Sequence, residues 1–292
     1  MRLSLAPNPW FWPRERTFAF YRDVGAWPVD VVYVGETVCS KRRELGLRDW
    51  IAVAERLLAD GKEVVLSALA LVEAESEIGA MHRMVGDGRF LVEANDLSAV
   101  QLCRQAGRPF VAGPSLNVYN ARTLAMLQED GMVRWVPGIE QGEALVRDLL
   151  GALEDEGGRA PELEVLGWGR PALAWSARCF TSRALDVAKD ACGFRCIEHP
   201  DGLPLATREG EAFLRINGVQ VMGEETLDLG PELDGLRALG TGLVRLVPQV
   251  DGLEAAVRRF RAAIDAGGVA ARVGAPSGYW AGTTGAARLS SA

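Results

Sequence analysis

Apolar residues alternate along the chain between short unbroken runs and longer stretches with helical spacing. The runs are rich in β-branched and aromatic residues, and most end at Gly, Pro, Ser or Asn, as buried strands do. They predict strands at 3–6, 31–34, 64–66, 90–92, 110–112, 133–136, 163–166 and 243–247. Between them, apolar residues recur every three or four positions, which predicts helices. The clearest stripes are Leu47, Trp50, Ile51, Ala54, Leu57 and Leu58; Leu124, Leu127 and Met132; Leu145, Val146, Leu149, Leu150 and Leu153; and Leu253, Val257, Phe260 and Ile264.

The alternation of eight predicted strands with helices indicates a parallel sheet. We expect an α/β fold, a TIM-barrel-like (β/α) barrel that is complete or distorted, because the length suits one such barrel. A doubly wound open sheet is the alternative topology. The predicted organisation is a single α/β-barrel domain over residues 1–292, with a small, polar and frayed tail at about 282–292.

One region, at about residues 170–225, interrupts the alternation after the seventh predicted strand. Within it, 213–216 and 219–222 predict a hairpin around Asn217-Gly218, because this dipeptide supports the positive φ angles of a type I′ turn. The same insertion contains three of the five cysteines. We therefore expect the insertion to add a cysteine-bearing feature to the barrel.

The composition narrows the class of protein. The chain has 292 residues, is 48% hydrophobic and carries a formal net charge of −7. An acidic chain is a poor candidate for wrapping nucleic acid or for a polybasic membrane anchor. The sequence has no apolar run long enough to predict a transmembrane segment, and residues 1–9 do not resemble a secretory signal. We expect a cytoplasmic protein, in which clustered cysteines bind metal more often than they form disulfides.

Four cysteines have the setting of one metal site. Cys179, Cys192 and Cys196 lie in the insertion with C-x12-C-x3-C spacing, and Cys39 follows the second predicted strand. In an α/β barrel, loops after different strands meet at one face, so these thiols are expected to converge. Four thiolates complete the ligand set of an iron–sulfur cluster or of a closed zinc site. Cys103, in a helical stretch, is instead expected to pack in the core.

The spacing favours a cluster over zinc, although zinc stays the main alternative. Structural zinc sites usually take two close cysteine pairs, and here only Cys192 and Cys196 are that close. Position 199 is His199, so the radical-initiating C-x3-C-x2-C pattern is absent. His199 is an optional extra ligand or proton donor, or simply a loop residue before Pro200. The only other histidine, His82, is expected on a helix surface.

Other residues at the same predicted face are candidates for binding or acid–base work. Polar side chains end several strands, namely Glu36, Ser67, Glu93, Asn95, Ser115 and Asn117. Arg42, Arg43 and Arg178 flank cysteines and would neutralise a negatively charged cluster or hold an anionic substrate. The triplet Trp10-Phe11-Trp12 would line an apolar pocket, form a lid or contact another subunit. No metalloprotease H-E-x-x-H, serine-hydrolase elbow or phosphate-binding Gly-rich loop is present.

Several segments resemble the ubiquinone-biosynthesis branch of the collagenase-like peptidase family. They are 38–43 (VCSKRR), 66–72 (LSALALV), 109–113 (PFVAG), 132–135 (MVRW), 175–180 (WSARCF) and 217–220 (NGVQ). The resemblance covers nearly the whole chain and is weakest in the tail. It implies a [4Fe-4S] cluster whose iron is bound by Cys39, Cys179, Cys192 and Cys196. No catalytic residue is carried over from the family.

The resemblance also implies a function and a partner. The chain would be the iron–sulfur subunit of an oxygen-independent hydroxylase in anaerobic ubiquinone biosynthesis, and not a peptidase. It would form a heterodimer with a UbiU-like sister protein and act on a quinone precursor, with prephenate as a candidate oxygen donor. The alternatives are a family member that hydroxylates RNA bases, which the acidic composition disfavours, and a non-catalytic metal-containing partner subunit.

Overall fold

The computed structural model of this chain describes residues 1–283. Its strands are short, and nearly every predicted strand position falls within one of them. In chain order the strands are β1 (Arg2–Leu5), β2 (Val31–Val34), β3 (Glu63–Ser67), β4 (Leu91–Ala94), β5 (Phe110–Ala112), β6 (Met132–Trp135), β7 (Glu162–Gly169), β8 (Ala172–Trp175), β9 (Leu203–Ala206), β10 (Ala212–Asn217), β11 (Gln220–Gly223), β12 (Leu227–Asp228) and β13 (Leu243–Leu246). Most of the tail predicted at about 282–292 lies outside the described residues.

Eight parallel strands close into a barrel. Strands β1 to β6 pair in sequence, β6 pairs with β7, β7 with β13, and β13 returns to β1. The predicted TIM-barrel-like fold is therefore confirmed, and the open-sheet alternative is wrong because the first and last barrel strands are hydrogen-bonded. The short β12 adds an antiparallel edge to β7.

Helices between the barrel strands cover its outer surface. They are α1 (Arg14–Gly25), α2 (Leu47–Ala59), α3 (Glu75–Asp87), α4 (Leu97–Gln105), α5 (Ala121–Glu129), α6 (Glu143–Asp155), α8 (Leu233–Ala238) and α9 (Leu253–Asp265), whereas the short α7 (Phe180–Ala184) contacts β10 instead. The side chains of Asp96 and Asn120 accept hydrogen bonds from backbone amides at the starts of α4 and α5, as N-caps do. The predicted helical stripes are largely correct, except that Met132 begins strand β6.

The two faces of each barrel strand differ in chemistry. In β13, Val244 and Leu246 point outward and join the large apolar core beneath the helices. Leu243 joins a smaller apolar cluster inside the barrel, while Arg245 enters the barrel and meets buried carboxylates. The interior of the barrel is therefore a mixed layer of apolar and charged side chains.

A column of charged side chains runs through the barrel interior. At the amino-terminal end, Arg134 Nη2 donates to Glu63 at 2.8 Å and its Nε donates to Glu162 at 2.8 Å. Further up, Arg134 Nη1 donates to the Tyr33 hydroxyl at 3.0 Å, and that hydroxyl donates to Glu164 at 2.5 Å. Burying charges is costly unless they are paired, so this column is stable only because its members complement one another.

A second sheet lies over the carboxyl end of the barrel, within the region predicted as an insertion. Strands β8, β11, β10 and β9 form it in that order, all antiparallel. The predicted hairpin is present between β10 and β11, but its turn is displaced by one residue. Asn217 pairs with Gln220, so Gly218 and Val219 are the central residues. Gly218 alone has a positive φ, +66°, which fits a type II′ turn with Gly first, not the predicted type I′.

No helix between residues 1 and 283 is both long and apolar enough to cross a bilayer.

Candidate metal centre and the neighbouring barrel cavity

Two cavities lie close together at the carboxyl end of the barrel. The smaller one, which we call the cysteine cavity, is lined by Cys39, Cys179, Cys192 and Cys196. The larger one, which we call the barrel-mouth cavity, has a volume of about 190 Å³ and is lined by residues of the barrel loops and of strands β8 and β11. The four cysteines are all free thiols and are all partly buried.

The four thiols reach the cysteine cavity from short, irregular segments. Cys39 lies in the loop after β2, and Cys179 is the N-cap of α7, where its Sγ accepts a hydrogen bond from Ser182 N at 3.5 Å. Cys192 and Cys196 lie at two short 3₁₀ turns that follow α7. Because no long element holds these thiols, their positions depend on hydrogen bonds to neighbouring loops.

A largely buried carboxylate, that of Glu36, shapes the Cys39 loop. One oxygen of Glu36 accepts hydrogen bonds from Val38 N at 2.8 Å and from Cys39 N at 3.0 Å. Burial raises the pKa of Glu36, and the positive charge of Arg42 acts in the opposite direction. Glu36, which was predicted at this face, therefore positions Cys39 and does not line either cavity.

Arg42 connects the Cys39 loop to the second sheet. It is 4% exposed; its Nη1 donates to Pro9 O at 2.8 Å and its Nη2 to Asn217 Oδ1 at 2.6 Å. Burial raises the pKa of the Cys196 thiol, whereas the charge and hydrogen bonding of Arg42 act to lower it. Arg42 is thus a buried cation directly beside a thiol that is a candidate ligand.

The hairpin turn fixes the start of α7. Gly218 O accepts from Phe180 N at 2.8 Å and from Thr181 N at 3.2 Å, and Gly218 N donates to Thr181 Oγ1 at 2.9 Å. A Cβ at Gly218 would lie 2.9 Å from Arg42 Nη2, so a larger residue would strain the turn and also press on the arginine. These contacts hold Cys179 beside the Cys39 loop.

Lysines tie the Cys192 segment to the barrel. Lys41 Nζ donates to Asp190 Oδ1 at 2.6 Å and to Lys189 O at 3.2 Å. Lys189 in turn pairs with Glu73 and donates to Ala177 O at 2.7 Å. Because Lys41 and Asp190 are near the surface, these pairs contribute orientation more than stability.

The donor set fits an iron–sulfur cluster. Burial raises the pKa of the Cys39 thiol, and the nearby Cys179 contributes a smaller increase. A bound metal favours the thiolate, so binding would release protons. Within residues 1–283 no three His, Cys, Asp or Glu side chains are gathered closely enough to share one metal ion. A four-iron cluster takes one thiolate on each iron, so the four cysteines that line this cavity would supply its complete ligand set.

Some predicted flanking residues do not reach the cysteine cavity. Arg43 and Arg178 are exposed, whereas the neighbouring Arg42 is buried and lines it. His82 is on the surface, as expected. His199 is not among the residues that line the cavity. Of the arginines proposed to balance a cluster's charge, only Arg42 is in direct contact with a candidate ligand.

The barrel-mouth cavity collects most of the other predicted polar residues. Glu93, Asn95, Ser115 and Asn117 line it, whereas Ser67 is fully buried and does not line it. The sequence prediction missed Arg245, which lines the cavity from β13, and Gln220, which lines it from β11. Arg245 could have been identified as a candidate because it is a charged residue within the otherwise apolar run 243–246.

The apolar triplet 10–12 is part of the interior of this chain. Trp10, Phe11 and Trp12 are each 6% exposed or less. The indole of Trp10 donates to Pro248 O and that of Trp12 donates to Pro200 O, each at 2.8 Å. Trp10 and Trp12 also pack with Met222. The idea that this triplet contacts another subunit is therefore wrong, because its side chains already join the barrel to the second sheet.

The fifth cysteine has the predicted core position. Cys103 lies in α4, is fully buried and belongs to the main apolar core. Burial raises its pKa to about 11. It is therefore chemically distinct from the four thiols of the cysteine cavity.

Solved structures with a similar shape have low sequence identity to this chain. A structure described as a U32 peptidase is 12% identical, with 86% of this chain and 94% of that chain covered and a TM-score of 0.46. A dihydropteroate synthase from Thermus thermophilus is 16% identical, with coverages of 91% and 94% and a TM-score of 0.44. At the level of sequence, the model of Peptidase family U32 matches residues 21–212.

Proposed function

Because the chain belongs to peptidase family U32, we propose that it is a UbiV-like protein, the iron–sulfur subunit of an oxygen-independent hydroxylase in anaerobic ubiquinone biosynthesis. In this proposal Cys39, Cys179, Cys192 and Cys196 hold a [4Fe-4S] cluster. The protein is an enzyme component and has no peptidase activity. Its partner is a UbiU-like sister protein, its substrate is a quinone precursor, and prephenate is a candidate oxygen donor.

One observation supports the proposal most strongly: four free cysteines from distant parts of the sequence line one small cavity. Cys39 and Cys196 are separated by more than half of the chain, so local sequence cannot account for their proximity. Unpaired thiols elsewhere in a protein usually pack singly in a core, as Cys103 does. Grouped at the face where α/β barrels carry their active sites, they suit a redox cofactor.

The protein's own residues have definable roles around such a cofactor. A cluster bound by four thiolates supplies one-electron transfer at a potential that depends on charge, burial and hydrogen bonds to sulfur. Arg42 would compensate negative charge beside Cys196, and Glu36 would hold the Cys39 backbone in place. The hairpin turn at Gly218 would keep Cys179 facing the other ligands.

The cofactor is tested by chemical analysis of protein purified without oxygen. We expect about four iron and four sulfide per chain, with visible absorbance that bleaches in air. Zinc without sulfide would overturn the cluster assignment. Bleaching should be slower when a UbiU-like partner is present, if the cysteine cavity lies near their interface.

The pathway is tested in cells. A strain without this protein should make normal ubiquinone in air and little under anoxia, because an oxygen-dependent route can serve only the first condition. Expression of the wild-type chain should restore anoxic ubiquinone, and a Cys39→Ala variant should not. Unchanged anoxic ubiquinone in the deletion strain would mean that the assigned pathway is wrong. Loss of a modification on RNA bases instead would point to a different activity within the family.

A further inference from the structure

We propose that the barrel-mouth cavity binds an uncharged, hydroxyl-bearing ring, with a ligand hydroxyl donating to Glu93. This proposal deepens the proposed function, on which it rests for the identity of the reaction, by naming the class of molecule that the barrel admits. The binding itself depends on the cavity alone.

The cavity has the size and walls for a single ring. Its volume is about 190 Å³, and an apolar cavity of roughly 150 Å³ is enough to hold benzene. Apolar side chains from five parts of the fold line it, namely Val136, Ile139, Leu166, Leu173, Met222 and Val247. Such walls favour the flat faces of a ring over a flexible polar chain.

The polar wall offers acceptors to a ligand hydroxyl. Glu93 is 1% exposed; one of its oxygens accepts from Arg245 at 2.5 Å and the other from Asn95 Nδ2 at 3.2 Å. A carboxylate has about four lone-pair positions, and the bonds in the described residues use two. A hydroxyl in the cavity would therefore find a buried carboxylate able to accept from it, which is a strong type of hydrogen bond.

The charges of the cavity argue against an anionic ligand. The charged side chains in its wall are Glu93, Glu140, Arg170 and Arg245, two of each sign. Each arginine already has a carboxylate partner, Arg245 with Glu93 at 2.5 Å and Arg170 with Asp201 at 2.9 Å. Arg245 also lies 3.1 Å from Glu164. A carboxylate entering this cavity would lose its hydration without gaining a free cation.

The cavity is separated from the cysteine cavity by one hairpin. Gln220 lines the barrel-mouth cavity, and its Oε1 accepts from Asn217 Nδ2 at 3.2 Å. Asn217 Oδ1 accepts from Arg42, which lines the cysteine cavity. A ring in the barrel mouth would thus be connected to Cys196 through the hydrogen-bonded side chains of Gln220, Asn217 and Arg42. This is a suitable place for a substrate of a redox centre.

The proposal is tested by measuring, with isothermal titration calorimetry, how three single-ring probes of similar size bind to the full chain. Resorcinol is uncharged and hydroxylated, benzoate is an anion and benzylammonium is a cation. We expect resorcinol to bind at least about tenfold more tightly than either charged probe. Equal or tighter binding of benzoate or benzylammonium would overturn the proposal, as would the absence of saturable binding of resorcinol.

Two variants establish where the probe binds. Ala172 lines the cavity from β8, and Ala174, on the same strand, is exposed and does not. Ala172→Phe should abolish resorcinol binding, and Ala174→Phe should leave it unchanged. If both variants bind like the wild type, the ligand is not in this cavity and the proposal is wrong.

A charge variant tests the electrostatic argument separately. Glu93→Gln leaves Arg245 without its closest carboxylate and gives the cavity wall an excess positive charge, so the preference should shift toward benzoate. No shift toward benzoate would contradict the argument, provided that circular dichroism shows a folded variant. None of these measurements requires a cluster. Failure of ring binding is therefore distinguishable from failure of the proposed pathway, which the anoxic quinone profile reports.

Discussion

The interior of the barrel and the cysteine cavity differ in how their buried polar side chains are paired. Inside the barrel, Arg134 and Arg245 are held on strands and each meets carboxylates of the same chain. In the cysteine cavity, four thiols lie on loops and short turns, and only Arg42 among the lining side chains places a buried charge beside one of them. The charges of the barrel column are paired within the chain, whereas the four thiols of the cysteine cavity are free, as expected of candidate ligands for the proposed cluster.

This difference implies that fold and cofactor binding are separable. The charged side chains inside the barrel complement one another, so removing one partner should destabilise the barrel by leaving the other buried and unpaired. Thiols on irregular segments contribute little to the barrel core, and their loss should remove the cofactor while the barrel remains. Substitution of a thiol, of a buried arginine or of a paired carboxylate would test this separation.

Substitution of a cavity cysteine should give the largest effect on metal content. Cys39→Ala, Cys179→Ala, Cys192→Ala and Cys196→Ala should each reduce iron from about four per chain to less than about one, with loss of visible absorbance. Circular dichroism should stay that of a folded barrel. Cys103→Ala is the control and should keep nearly all its iron. Full iron retention in the Cys39 variant would contradict the four-ligand arrangement.

Breaking the barrel column should give the largest effect on stability. Arg134→Met removes the hydrogen-bond donor to Glu162 and to the Tyr33 hydroxyl. It also removes the positive charge that pairs with Glu164. The free energy of unfolding should fall by roughly 3–5 kcal/mol, as when one partner of a buried ion pair is removed. Urea unfolding of metal-free protein measures it.

The matched control for that measurement is an arginine on the surface. Arg258 pairs with Glu254 one helical turn away, and both side chains are about half exposed or more. Arg258→Met should therefore change the free energy of unfolding by at most about 0.5 kcal/mol. Similar losses in the two arginine variants would mean that the barrel column is not specially important for stability.

Removal of Arg42 should have an intermediate effect that links the two regions. Arg42→Met removes the donor to Pro9 O and Asn217 Oδ1 and the cation beside Cys196. Residues that orient metal ligands typically affect metal affinity about 10- to 100-fold, so iron should be lost to a chelator correspondingly faster. Arg43→Met, at an adjacent but exposed arginine, should behave like the wild type. Equal rates of iron loss in the two variants would mean that Arg42 does not stabilise metal binding at the cysteine cavity.

Acid should weaken the amino-terminal end of the column gradually. Burial alone would raise the pKa of Glu63, but hydrogen bonds from Arg2 and Arg134 outweigh it and lower the pKa below the ordinary value of 4.5. The same holds for Glu162. A lowered folded-state pKa contributes stability that is present above pH 4.5 and is lost as the pH falls through the folded value.

The measurement is a series of urea unfolding curves between pH 7 and pH 3. The contribution of Glu63 and Glu162 to the free energy of unfolding should be nearly constant above pH 5 and should decline below about pH 4.5. A double variant, Glu63→Gln with Glu162→Gln, should be less stable at pH 7 and should show a smaller decline in acid. An identical decline in the double variant would assign the acid sensitivity to other carboxylates.

The sequence was sufficient to predict the barrel and the convergence of the four cysteines on one cavity, but not the side chains that surround them. Strands such as β5 and β13 could be predicted because apolar runs bounded by turn residues are a local signal. The ion pair of Arg245 with Glu93 joins residues 152 positions apart, and no local pattern carries that information. For the same reason Arg42 could not be distinguished from Arg43 until the hairpin was placed beside it.

The hairpin turn and the triplet 10–12 differ from their predictions because contacts with distant segments decide both. Asn217-Gly218 signals a turn, but here the asparagine side chain bonds Pro9 O and the turn is completed by Val219. For the triplet 10–12 the sequence left a pocket wall, a lid and a subunit contact open, because the predicted hairpin alone does not show that a second sheet packs on these side chains.

The closure of the barrel has a consequence for the order of events during synthesis. Strand β1 pairs with β13, which emerges from the ribosome about 240 residues later, and Cys39 must wait for Cys196. Although β1 can pair early with β2, a nascent chain therefore carries a first strand with one unpaired edge and an incomplete set of thiols until most of it has been made. We expect cofactor insertion to follow translation, and a chaperone that protects unpaired strand edges to increase the yield of the assembled protein.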